Sequence, residues 1–184
     1  MTSERVHTEQ LFREHASFIA AFLHRLGVHE ADVDDAVQEV FMVAHEKGGY
    51  RPGPALPRSW LGAIAWRIAG SRRRAQRRRR EEFDEAALRQ AEAKGSTPSD
   101  ALAIAEQLFA VQQALDTLDP EHRAVFILYE IEGEPCASIA EAMGVPTGTI
   151  YSRLHNARRR FSDAYAQVDR PRARRRRPSM AGVA

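Results

Sequence analysis

The chain has 184 residues, 43% of them apolar, and a net charge of only +2 at neutral pH. That apolar share supports packed cores and excludes a wholly disordered chain, and the length admits one ordinary domain or two small ones. A single cysteine, Cys136, excludes an internal disulfide and a cysteine-based metal site. The N-terminal stretch lacks the apolar core of a signal peptide, and no apolar run approaches the roughly 20 residues of a membrane span; a soluble protein of a reducing cytoplasm is expected.

The small net charge conceals segregation. Acidic residues dominate as far as Glu46, arginines crowd 72–80 and 170–177, and the only lysines are Lys47 and Lys94. Arginine blocks of this kind attract phosphate.

In chain order, Thr8 is placed to cap a first helix whose apolar residues are Leu11, Phe12, Phe18, Ile19, Phe22, Leu23 and Leu26, with Gly27 as its stop. A second helix is expected from Asp32, with Asp35 in a capping-box-like position and an apolar stripe of Val33, Val37, Val40, Phe41 and Ala44. Gly48 and Gly49 end it. The Pro- and Gly-rich "YRPGPALPRS" is a loop, after which Ser59 is placed to cap a third helix, "WLGAIAWRIAGSRRRAQRRRR". Residues 81–99 turn acidic, then small and polar, and read as a linker with a short helix at its start. Residues 100–117 carry Leu102, Leu108, Val111 and Leu115 at helical spacing. Asp119-Pro120 opens a helix with Pro at its first position; it stops at Gly133. "CASIAEAM" is a short helix ending at Gly144, and Pro146 and Thr147 open the last one. The tail, 169–184, has no apolar periodicity and is expected to be disordered. No segment alternates with period two. The fold class is therefore all-α: two small helical domains, 1–80 and 100–168, on a flexible linker, the second a helix-turn-helix.

In that second domain, Ile139, Ala140 and Met143 form the inner face of one helix and Ile150, Leu154, Ala157 and Phe161 that of the next. Gly144 supplies the left-handed turn residue and Val145 plugs the junction. At about 100° per residue, Ser152, His155 and Arg159 point away from the core, flanked by Tyr151 and Asn156. A hydroxyl, an imidazole, an amide and a guanidinium on one strip suit the edges and phosphates of a DNA major groove. No second ligand stands at metal spacing from His155, so no metal or cofactor is called for. Cys136 opens a helix, but a small buried residue is the expected role.

In the first domain, Trp60, Leu61, Ile64, Ala65 and Ile68 form the core face of the third helix. Trp66 projects elsewhere, near Gly62 and Arg73. An aromatic beside an arginine track fits single-stranded or distorted DNA; a Trp packed on a neighbouring helix or on the linker is the alternative. The second helix carries Asp34, Asp35, Gln38 and Glu39 on its outer side, a face repelled by DNA and suited to a basic protein partner.

Together "DDAVQEVFMVAHE", "WLGAIAWRIA" with its arginine run, and "LDTLDPEHRAVFILYEIEGEPCASIAEAMGVPTGTIYSRLHNARRRF" resemble regions 2 and 4 of bacterial sigma factors of the extracytoplasmic-function (ECF) group. The likeness covers roughly 10–80 and 100–165, in the same order. It implies a non-enzymatic, cytoplasmic subunit that gives core RNA polymerase its promoter choice. By that resemblance Asp34, Asp35, Gln38, Glu39 and Phe41 dock on the polymerase clamp. Arg58, Trp60, Trp66, Arg67, Arg73, Arg74 and Arg77 meet the −10 element and its separated strand. Thr149, Tyr151, Ser152, Arg153, His155, Asn156, Arg158 and Arg159 meet the −35 duplex, with Arg153 and Arg158 along its backbone. An anti-sigma protein is a further candidate partner. Where the family has "IARN", this chain has Ile64, Ala65, Trp66 and Arg67, and basic residues of the family's last helix are replaced by Tyr151 and Asn156; an unusual promoter follows. Two rival readings are a helix-turn-helix regulator that is not a polymerase subunit and a small DNA-cutting enzyme. The first leaves the acidic helix unexplained, and the second finds no clustered carboxylates or nucleophile–base pair.

Overall fold

The computed structural model describes residues 5–83 and 99–175, with side-chain surroundings over 5–75 and 105–168. Among these residues there are seven helices and one isolated antiparallel bridge, Val6 to Tyr50. They are α1 Thr8–Arg25, α2 Glu30–Glu46, α3 Pro57–Phe83, α4 Ser99–Asp116, α5 Pro120–Phe126, α6 Cys136–Met143 and α7 Thr147–Arg175. A π turn, Ile127–Ile131, prolongs α5. No helix among the described residues is long and apolar enough to cross a membrane.

The apolar stripes meet as the spacing predicts. Leu11, Ile19, Phe22 and Leu23 of α1, with Leu26 just after it, close on Val40 and Ala44 of α2 and Leu61 and Ala65 of α3. In the second half Ala114 and Leu115 of α4 and Ala124 and Val125 of α5 are buried with Ile139 of α6 and Ile150, Leu154 and Ala157 of α7. Each large aliphatic side chain so buried contributes about 1.5–3 kcal/mol. The Pro- and Gly-rich loop is pinned at both ends. Val6 and Tyr50 exchange backbone hydrogen bonds of 2.9 and 3.1 Å, and the Tyr50 hydroxyl donates to the Ala55 carbonyl at 2.7 Å.

Several helix starts differ from expectation. α1 does begin at Thr8, but His7 is its cap residue and no side chain caps it. α2 begins at Glu30, two residues before Asp32, because His29 Nδ1 accepts a hydrogen bond from the Ala31 N–H at 3.3 Å. An imidazole here does the work expected of a carboxylate or hydroxyl. α3 begins at Pro57, whose missing N–H costs nothing in a first turn. Ser59 is thereby freed from capping and is fully buried. α3 runs on to Phe83, past the expected linker start, and the linker residues 84–98 lie outside the described ones. Leu108, expected on the inner stripe of α4, is 65% exposed beside an equally unburied Phe109; Ala110 and Val111 pack instead. α7 continues to Arg175, so the tail expected to be disordered from 169 starts as helix; 176–184 lie outside the described residues.

The sequence left the arrangement of the two units open. In the structure they lie against each other, and one continuous apolar cluster runs through both. α6 and α5 lie on α3. Gly62 makes the close approach possible, since a Cβ there would stand 2.9 Å from Leu128 Cδ2. Around that contact lies a polar seam. Arg25 Nη1 donates to Glu132 Oε1 at 2.8 Å, and Arg58 pairs with Glu132 Oε2. The Leu56 N–H donates to Ser138 Oγ at 2.8 Å, Ser138 donates to Ser59 Oγ at 2.7 Å, and Ser59 donates to Glu134 Oε2 at 2.5 Å. All four polar groups of that relay are satisfied in one direction, and hydrogen bonds in series strengthen one another. Arg123, 4% exposed, donates to the Arg25 carbonyl and pairs with Asp116 at 2.7 Å.

His15 of α1 borders this seam. Burial lowers its pKa, an effect that Glu14 and Glu134 oppose and Arg58 reinforces. Below the ordinary value of 6.5 the unfolded chain binds a proton that the folded chain resists, so stability falls as pH falls through that window. Thermal unfolding of the full chain between pH 7 and pH 5 is expected to show a declining midpoint, and His15→Gln to flatten that decline.

Candidate nucleic-acid and protein-docking faces

The α6–α7 pair is a helix-turn-helix built as the sequence indicates. Gly144 has φ 69°, the left-handed conformation that ends α6, and the Val145 N–H returns to the Ala140 carbonyl at 3.0 Å. With Ile150, Leu154 and Ala157 inward, Tyr151 is 60% exposed, and Ser152, His155 and Arg159 are exposed. Thr149 and Asn156 are half-buried at the strip's edge. The Ser152 hydroxyl donates back to the Thr149 carbonyl at 2.9 Å and keeps its lone pairs outward. These six residues form one contiguous strip along α7.

Two arginines assigned to DNA sit differently. Arg153 is only 17% exposed and pairs with Glu121, holding α7 to α5. Helical rotation carries position 153 off the strip and onto the neighbouring helix. Arg158 is on the surface but hydrogen-bonded to Glu130 at 2.5 Å, over the Tyr129 ring; that hydrogen bond holds its pKa up. Arg160, unassigned from sequence, pairs with Asp119 at 2.5 Å.

On α3, Trp66 is half-buried and packs on the core, while Arg67 and Arg74 are exposed. With Gly70 and Arg73 they form one wall of a cleft of about 650 Å³ whose other wall is Asp119–His122. Trp66 thus packs on the core with one side and lines this cleft with the other. Arg73 donates to the Leu26 carbonyl at 3.3 Å, and burial lowers its pKa. Trp60 is half-buried, its ring 5.8 Å from that of Tyr50. Arg58 lies over the Phe18 ring at 4.4 Å and is held by Glu132. The Arg77 side chain lies outside the described residues.

On α2, Asp34, Asp35 and Gln38 are exposed, and Glu39 is half-exposed and bonded to Arg72 at 3.1 and 2.9 Å. Phe41 is a correction: it is 5% exposed, its ring edge-on to Phe12 at 5.0 Å, so it supports the face from within. The exposed apolar residues there are Phe12, at 45%, and Met42, at 64%. They rim a shallow groove with Gln38, His45 and Glu46. Met42 lay off the inner stripe of α2, which was the available signal.

Comparison with known proteins matches this layout part by part. The family description "Sigma-70 region 2" matches residues 11–79, and "Sigma-70, region 4" matches 108–161. The ECF RNA polymerase sigma factor SigL of Mycobacterium tuberculosis is 32% identical over 150 residues, covering 80% of this chain and 82% of that protein. The chain belongs to the ECF sigma factors. SigE of Mycolicibacterium smegmatis, also an ECF sigma factor, is 30% identical over 160 residues; they are 86% of this chain and 62% of that longer relative. Among solved structures, the sigma factor RpoE in complex with the anti-sigma factor NepR, from Bartonella quintana, shares the fold. Its TM-score is 0.65, at 23% identity over 85% of this chain and 94% of that one. CnrH in complex with the cytosolic domain of CnrY gives a TM-score of 0.59, at 25% identity over 85% of each chain. In this ECF sigma factor, region 2 is therefore α1–α3, and the region 4 match runs from within α4 into α7.

The two kinds of arginine on α7 separate by stability. Arg153→Ala is expected to lower the unfolding free energy of the full chain in urea by about 1–2 kcal/mol, between the values for exposed and buried pairs. Arg159→Ala is expected to stay within about 0.5 kcal/mol.

Proposed function

We propose that this ECF sigma factor binds core RNA polymerase through the outer face of α2, meets the −10 element and its displaced strand along α3, and reads the −35 duplex with α7. Sigma factors are in general not enzymes; they confer promoter choice on one. The observation that carries the reading is the opposition of charge within region 2. Asp34, Asp35 and Gln38 are exposed on α2, whereas Arg67 and Arg74 are exposed on α3. One three-helix unit thus offers a basic protein partner and a nucleic acid different faces, and the second unit adds a duplex reader. A regulator acting without polymerase has no use for the first face.

Each reader alone is small. Held on one enzyme, the second contact becomes effectively intramolecular, which multiplies the affinity of the first. Strand separation is assisted where an unstacked base meets Trp66, a stack worth about 1–3 kcal/mol. Arginines 67 and 74 stand beside that ring to meet the backbone. At the −35 element, Tyr151, Ser152, His155 and Asn156 are the side chains placed for base edges; each wrong base pair there costs about 1–3 kcal/mol. An anti-sigma protein is a candidate partner on the strength of the complexes in which RpoE and CnrH were solved.

Pull-down of purified core polymerase tests the docking face: Asp35→Arg with Glu39→Arg is expected to abolish binding while circular dichroism shows the helices intact. Unchanged binding removes the assignment. Ser152→Ala with His155→Ala is expected to alter −35 preference across a promoter library with polymerase affinity kept within about twofold. An identical promoter profile removes the reading strip.

A further inference from the structure

Arg58 has two claims on it. The promoter reading places it on −10 DNA, yet in this structure its guanidinium is taken by Glu132 of the other unit. Its Nη1 also reaches the Glu132 carbonyl at 3.4 Å. Glu132 is 11% exposed and receives a second guanidinium, Arg25, at 2.8 Å. Two forked cations on one oxyanion is the arrangement by which arginines hold phosphate as well as carboxylate. Arg58 also lies over the Phe18 ring at 4.4 Å, a contact separate from its anion that helps to hold the cation in place.

The geometry points to Glu132 as an internal stand-in for a DNA phosphate: it closes region 4 onto region 2 through Arg25 and Arg58, so that a promoter strand and the closed seam compete for Arg58. This inference rests on the reading of Arg58 as a strand contact. Arg25 and Arg58 are each about one-third exposed, at 34% and 35%, so a strand can approach the pair from solvent. The rest of the seam works with the clamp. Leu128 sits against Gly62, and the Leu56–Ser138–Ser59–Glu134 relay lies beside them. The same closure places Asp119–His122 across the cleft beside Trp66. Closure therefore withholds the strand site twice, by occupying Arg58 and by walling Trp66. Linkage makes the competition reciprocal: the factor by which closure weakens strand binding equals that by which the strand loosens closure.

The test uses the full chain without polymerase. Binding of a fluorescent single-stranded oligonucleotide is followed by anisotropy at one fixed salt concentration. Glu132→Gln is expected to bind about tenfold more tightly than the parent chain. Glu141→Gln removes the same charge from an exposed position on α6 and is expected to change binding less than about threefold. In a Cys136→Ala background, Ser59→Cys with Ser138→Cys places two thiols where hydroxyl oxygens stand 2.7 Å apart. That brings the β-carbons near the ~3.5–4.5 Å a disulfide spans. The oxidised protein is expected to bind the strand about tenfold or more weakly than its reduced form. Equal gains for the two Gln variants, equal binding by oxidised and reduced protein, or no disulfide on oxidation each overturn the inference. Association of the parent chain with core polymerase is measured separately. Its absence removes the sigma-factor reading and leaves the result on the clamp standing.

Discussion

The seam between the two halves depends on one carboxylate. Glu132, with arginines from α1 and α3 on it, makes a single unit of two that the chain could have kept apart. Breaking a fully buried ion pair costs about 3–5 kcal/mol, whereas an exposed pair contributes about 0–1. Here the anion is buried and the cations are each one-third open to water, so the clamp lies between those limits.

The rest of the fold keeps the partners of that carboxylate in place. Arg25 ends α1 two residues before the Gly27 bend, and Arg123 donates to its carbonyl. Arg58 stands in the first turn of α3, which starts where Pro57 allows and is tied to the loop by Tyr50 and Trp60. Glu132 and Glu134 follow a π turn, where the Glu132 N–H reaches back to the Ile127 carbonyl at 3.0 Å. Widened turns of this sort are uncommon and frequently mark functional sites. This one carries Leu128 into the seam and leads directly to both acidic groups.

Most of the local structure was legible because apolar period and helix punctuation are local signals. Gly27, Gly48, Gly133 and Gly144 ended helices as read, each with positive φ. The inner and outer faces of α7 followed from rotation alone, and Cys136 is buried as expected. What was misread depended on tertiary partners. Leu108 fits the stripe of α4 by spacing, but the core it would join ends at Ala110. Phe41 was expected both on the apolar stripe of α2 and at the docking face, and it lies on the stripe. Arg153 was read as a backbone contact, and in this arrangement Glu121 stands across from it and ties it to α5. Ser59 looked like a cap and is a buried link to Ser138, 79 positions away. The closed arrangement was illegible for the same reason: Arg58 was read as a DNA contact, and nothing local in the sequence joins it or Arg25 to Glu132.

The lone thiol gives the molecule a gauge of its own motion. Burial raises the Cys136 pKa, so that near neutral pH it is held as the unreactive protonated form at the start of α6. An alkylating reagent reaches it readily only when its surroundings open. The pace of alkylation in the unmodified chain therefore counts local openings of the duplex-reading unit, with no added probe and no second sulfhydryl to confuse the record.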